Sequence, residues 1–187
     1  TLDLQKVRPA LVPPVWARGE FDCVVFTVSS LKFAVPANQI ADILEMRGLE
    51  GKIKRQPASS EALTSQVRLF GELYLQGETL TDDQFDPGLM PAKKSIIDTA
   101  ALVMPERYVA RMRDQYSCLL EIEDSNWLLA VDTIGSSLRL SADDIRWRGE
   151  NTRREWLVGT SATHRCALID VSVIDRQLLA DHVLGLS

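Results

Sequence analysis

The residues of this chain able to do covalent or metal chemistry are few: two histidines, three cysteines and one knot of aspartates. His164 and Cys166 stand two apart, the spacing that puts both side chains on one face of a strand, and a base beside a thiol is the beginning of a nucleophile. Cys166 runs directly into Ala167 and Leu168, however, and His164 follows Thr-Ser-Ala-Thr, a turn composition. The expected arrangement is a core thiol next to an exposed, inert imidazole. His182 is far away in the tail and completes no zinc spacing. Asp82, Asp83 and Asp86 offer hard oxygens, but the glycine and distal glutamate of a calcium loop are missing. Gly71 to Gly77, GELYLQG, has neither the glycine spacing nor the lysine of a phosphate loop. The sequence therefore implies no catalytic residues, no metal and no cofactor.

The most unusual local composition is IRWRGENTRREW, residues 145–156. Arg146, Arg148, Arg153 and Arg154 lie among Trp147 and Trp156 in a chain whose net charge is −5. Arginine and tryptophan are the residue types most enriched at the energetic centres of protein interfaces. Two readings stay open: an interface built on Trp147, Arg153, Arg154 and Trp156, or tryptophans covering a barrel while the arginines stay in water. The acidic balance argues against nucleic acid, whose phosphates demand a basic surface. No apolar run nears the roughly 20 residues that cross a bilayer, so no direct membrane insertion is expected. Cys23, Cys118 and Cys166 are odd in number and scattered, which suits reduced, buried thiols in the cytoplasm.

The elements that would carry these residues come in duplicate. FDCVVFTVSSLKFAVPANQIADIL, from Phe21, is matched 95 residues later by YSCLLEIEDSNWLLAVDTIGSSL, from Tyr116. Each has an aromatic residue, a cysteine two positions on, an alternating apolar strand, a Ser-containing turn and a return strand. The likeness continues. LFGELYL leads to SIID, and WLVGTSA leads to CALID, each setting a glycine in a strand and closing an apolar pair with aspartate. Gly71 and Asp98 are 27 residues apart where Gly159 and Asp170 are 11 apart. Most of the excess is TDDQFDPGLMPAKKS, read as an insertion at 81–95 on a hairpin tip because Asp-Pro-Gly and a further proline mark turns.

Residues 1–20 hold Pro9, Pro13 and Pro14 and show no period, as in a linker or a surface arm; the folded part is placed at 21–187. A short turn is expected after Asp98 and a helix from about Pro105, where proline suits the first helical position. Ser141 caps a single turn ahead of Asp143 and Asp144. Val173, Ile174, Leu178, Leu179 and Val183 sit near helical spacing in the tail. Short strands with turn signals, in two sets, predict a mainly β protein of two small barrels.

The hairpin with its exit strand, then GELYLQG, IID, WLLAVDTIGSSLRLSADDIR, WLVG and ALIDV, resembles the CheW-like domain of bacterial chemotaxis over about Phe21 to Leu179. The run from Leu128 to Arg146 carries most of the likeness. DTAALVMPERY and WLVG are similar to a subgroup in which this domain ends a longer, proline-rich protein that positions arrays at the cell pole, and the start of this chain fits a piece of such a protein.

The resemblance implies two SH3-like five-stranded β-barrel subdomains with short helices and a C-terminal helix, and no catalysis. It implies an adaptor, cytoplasmic and recruited to polar arrays. Its partners would be the regulatory domain of a CheA-type histidine kinase, a chemoreceptor cytoplasmic tip, or a polar localisation protein. The receptor-facing groove would use the exit strand around Ile40 and Ile43, together with Gly71, Leu75, Gln76 and Gly77. Gln76 replaces the family's arginine, which implies a specialised partner because a fixed fork of donors is lost. A regulatory domain cut from a larger kinase, or a small-molecule-sensing module, are the alternatives.

Overall fold

The computed structural model describes residues 14, 16–57, 67–75, 93–148, 154–174 and 176. The first duplicate forms the hairpin β1 (Glu20–Val28) and β2 (Leu31–Pro36). Val28 faces Leu31, so the loop is Ser29-Ser30, and both serines have positive φ, 48° and 70°. That is the type I′ conformation whose twist matches paired strands. Phe26 and Phe33 are direct cross-strand partners with rings stacked at 5.4 Å, which pins the register from inside. The second duplicate forms β7 (Cys118–Ile122) and β8 (Trp127–Val131). Its turn is held by Ser125, whose Oγ donates to the Ile122 carbonyl and accepts from Trp127 N–H.

The chain divides into two compact units, but not into its two sequence halves. Unit one is 1–40 with 133–187, and unit two is 41–132. Unit one joins the first hairpin to β9 (Thr133–Ile134), β10 (Leu138–Ser141), β11 (Arg146–Trp147), β12 (Leu157–Ser161) and β13 (Cys166–Ile169). Its strand order is β10-β1-β2-β13-β12-β11, with β9 also on β1. Unit two joins the second hairpin to β3 (Ile40–Glu45), β4 (Ile53–Arg55), β5 (Leu69–Tyr74) and β6 (Lys93–Asp98), in the order β3-β7-β8-β6-β5-β4. Each hairpin therefore leaves the rest of its own repeat and pairs with the rest of the other. The match is close: β2 runs parallel to β13 in one unit, and β8 runs parallel to β6 in the other.

Closure follows from the strand order. β10 and β11 lie at opposite ends of their sheet, yet only the short 3-10 turn Ala142–Asp144 and Ile145 separate them in the chain. The sheet has to curl until its edges approach, because the few residues between Ser141 and Arg146 span at most about 18 Å. β3 and β4 stand in the same relation across the 3-10 turns Met46–Gly48 and Glu50–Lys52. Counting β10 with β11, and β3 with β4, as one bent strand gives each unit the five principal strands expected.

Several boundaries differ from the expectation. Trp16 to Gly19, within the stretch read as a linker or a surface arm, pack on unit one: Trp16 meets Phe21 and Trp147 edge to face, and Ala17 is buried. Lys93 to Ser95, inside the expected insertion, are strand β6, pairing with Glu72 to Tyr74. The helix expected from Pro105 is a turn, followed by the 3-10 segment Ala110–Gln115, because Val109 is extended at φ −134° and ψ 147°. The short helix α1 (Thr99–Val103) precedes it, wholly buried. At the C-terminal end, residues 171–174 and 176 are helical; Leu178, Leu179 and Val183 lie outside the described residues. Ser141 does cap its turn, accepting from Asp143 N–H at 3.4 Å.

Candidate functional site

The two aspartates that end the duplicated apolar pairs each anchor several hydrogen bonds. Asp98 is 1% exposed. It accepts from Tyr108 OH at 2.6 Å and from Tyr116 OH, with the Arg113 guanidinium 3.4 Å away. Tyr116 OH in turn accepts from Ala100 N–H, tying the start of α1 to the same network. Burial, and then the bond to Asp98, push the Tyr108 phenol up to about 12; the Tyr116 phenol is raised further, chiefly by burial. Both donate permanently at neutral pH. In unit one Asp170 plays the matching part, accepting from Trp16 Nε1, Gln39 Nε2 and both the N–H and Oγ of Ser172.

Arg113 was not anticipated. Its guanidinium is buried, donates to the carbonyls of Gln56 and Phe70, and lies 4.8 Å from the centre of the Phe70 ring. The Arg55 guanidinium is 4.7 Å from the same centre. These groups fasten β4, β5, α1 and the 3-10 segment together, which is a structural task with no reacting atom in it.

Cys166 is buried, and burial raises its thiol. Cys23, in the same core cluster, is pushed up to about 12 by burial first and by the nearby Cys166 and Asp22 charges next. A thiol held protonated is a poor nucleophile. All three cysteines are free. His164 is half-buried in the β12–β13 turn, with its backbone N–H on Ser161 Oγ and its carbonyl accepting from Lys32. No hydrogen bond joins its ring to Cys166. Asp82, Asp83, Asp86 and His182 lie outside the described residues. Among the described residues, no group of three metal-ligating side chains gathers, and no helix is long and apolar enough to cross a membrane.

The interface candidates fall into two groups. Ile40 is half-buried at the start of β3, and Ile43 is 41% exposed on the same strand. Leu75, just after β5, is 46% exposed. Gly71 is buried, and a Cβ there would stand 2.5 Å from the Lys54 carbonyl oxygen, so its identity has a packing cause of its own. Gln76, Gly77 and Arg153 lie outside the described residues. Trp156 is 2% exposed, a core side chain. Trp147 is half-buried over the unit-one core and donates Nε1–H to the Ala142 carbonyl. Arg146 and Arg148 are exposed, and Arg154 is half-buried. Trp156 is thus a core side chain, and Trp147 packs partly against the core.

The class defined by these features is a mainly β protein of two mixed sheets, built by exchange between two repeats. No family model matches the chain, and no curated protein matches it. Its fold is similar to a solved structure, that of the scaffolding protein TtCheW from Thermoanaerobacter tengcongensis. The TM-score is 0.52 and the identity 14%, over 80% of this chain and 87% of that one.

Proposed function

We propose that this chain is a non-catalytic adaptor of bacterial chemotaxis signalling, acting in the cytoplasm and recruited to receptor arrays. The observation that carries the proposal is the likeness of fold to a scaffolding protein over most of both chains. The sequence run from Leu128 to Arg146 supports it independently, since that run resembles the same family. The partners are the regulatory domain of a CheA-type kinase, the cytoplasmic tip of a chemoreceptor, or a polar localisation protein. The exposed apolar side chains Ile43 and Leu75 are available for such contacts, since each can bury apolar area against a partner. Ile40, Gln76 and Gly77 are proposed with them. The Arg153 and Arg154 pair is proposed as a second contact, and the buried Trp156 as its support.

Calorimetric titration against a kinase regulatory domain and against receptor-tip fragments tests the reading. Saturable binding to at least one is expected at tens of micromolar, the range of transient signalling contacts. Replacing Ile43 and Leu75 with Asp, or Arg153 and Arg154 with Glu, should weaken it while the thermal midpoint stays unchanged. Silence with every partner would end the proposal.

A further inference from the structure

Two clefts lie side by side on unit two, of about 480 Å³ and 580 Å³, and both are lined by Arg55, Arg113 and Asp114. The first has Met46, Arg47, Glu50 and Ile53 on one wall and Tyr116 and Ser117 on the other. The second continues to Gln56 and Pro57 beside Ala110 and Arg111. Together they form a groove between residues 46–57 and 110–117. Its floor is stiff: Arg113 is tied to two carbonyls and to Asp98, and Arg55 lies against Phe70.

The charges in the groove are informative. Arg113 is matched by Asp98, but Arg47, Arg55 and Arg111 form no ion pair among the described residues. Glu50 and Asp114 are the carboxylates facing them. Three open guanidiniums against two carboxylates leave a local positive surplus on a chain of net charge −5. An unpaired guanidinium is a fork of donors shaped for a carboxylate. A polyphosphate or nucleic acid would meet repulsion from Glu50 and Asp114 along with attraction. A peptide can place its carboxylates at the arginines and skip the acidic positions. Met46 and Ile53 give an apolar side chain somewhere to rest.

We propose that this groove binds a carboxylate-bearing peptide segment of a partner protein, with Arg47, Arg55 and Arg111 holding the carboxylates and Met46 and Ile53 seating an apolar side chain. Neither cleft is lined by Ile43 or Leu75, and the site does not depend on which signalling system the protein serves. Loss of binding to kinase and receptor fragments would leave it standing.

Fluorescence anisotropy on the whole chain tests it, using a fluorescein-labelled peptide of alternating glutamate and leucine. Saturable binding is expected, weakening about tenfold in the double variant Arg47→Gln/Arg111→Gln, which removes two charge-assisted contacts and leaves the Arg55–Phe70 contact alone. Arg55→Glu should weaken it at least as much. Arg18→Glu, an exposed charge reversal at a residue that lines neither cleft, should change it less than about twofold. A thermal scan of each variant confirms folding. The proposal is overturned if wild type shows no saturation, if a glutamine-for-glutamate peptide binds equally well, if Arg18→Glu matches the groove variants, or if inorganic phosphate displaces the peptide more effectively than chloride of equal ionic strength.

Discussion

Gly71 and Gly159 occupy equivalent places in the two units, each beside a bulge and each pressed against the strand that closes its barrel. A Cβ at Gly71 would meet backbone, the Lys54 carbonyl, at 2.5 Å; at Gly159 it would meet Ile145 Cγ2 at 2.5 Å and the Arg146 carbonyl at 3.1 Å. Backbone cannot swing aside as a long side chain can. Gly71→Ala is therefore expected to lower unfolding free energy by about 1–3 kcal/mol, the range for overpacking. Chemical denaturation measures it, and an unchanged midpoint would show that the seam has slack. This residue was legible in the sequence as a glycine inside a strand, repeated at the matching place, which is the usual mark of close backbone approach. Arg113 was not legible. Its carbonyl partners lie 57 and 43 positions away in the chain, and nothing local in RMRDQ distinguishes a buried arginine from a solvated one.

Among the elements, hairpins were the easiest to read, because alternation and turn residues are both short-range signals. Ser29 and Ser30 show the limit of that reading: the turn was evident, its handedness was not. With φ of 48° and 70°, both serines occupy the region that costs an L-residue about 1 kcal/mol and costs glycine nothing. Ser30→Gly should raise the thermal midpoint modestly, by an amount corresponding to about 0.5 kcal/mol; a fall would mean that the Ser30 side chain contributes more than its strain removes. The segment after Pro105 departs from the expected helix for a physical reason. Proline at a first helical position permits a helix without requiring one, and the tertiary pull of Asp98 on Tyr108 and of two carbonyls on Arg113 draws the chain into an extended step and a 3-10 run instead.

At the scale of the molecule, the repeat announced two barrels but not which strands each would take. β6 and β13 are near copies, as are the two hairpins, so either pairing satisfies the same local pattern. The exchange lies in the long-range pairings of β2 with β13 and of β8 with β6. One expectation separates the alternatives: residues 41–132, expressed alone, should unfold in a single cooperative transition with β-type circular dichroism, because every pairing of that unit is internal to it. Residues 14–115, the first repeat, should not. The reverse result would contradict the unit assignment. The exchange also bears on how the chain emerges from the ribosome. Phe33 must wait for Ala167, 134 positions later, an interval on the order of ten seconds at ordinary translation speed. Cys23 and Phe26 gain β10 and β9 only after unit two has been made, and Phe33 and Ala34 wait longer still for β13. The first hairpin of the fold is completed after the rest, and it is there that nascent chains would call on a chaperone.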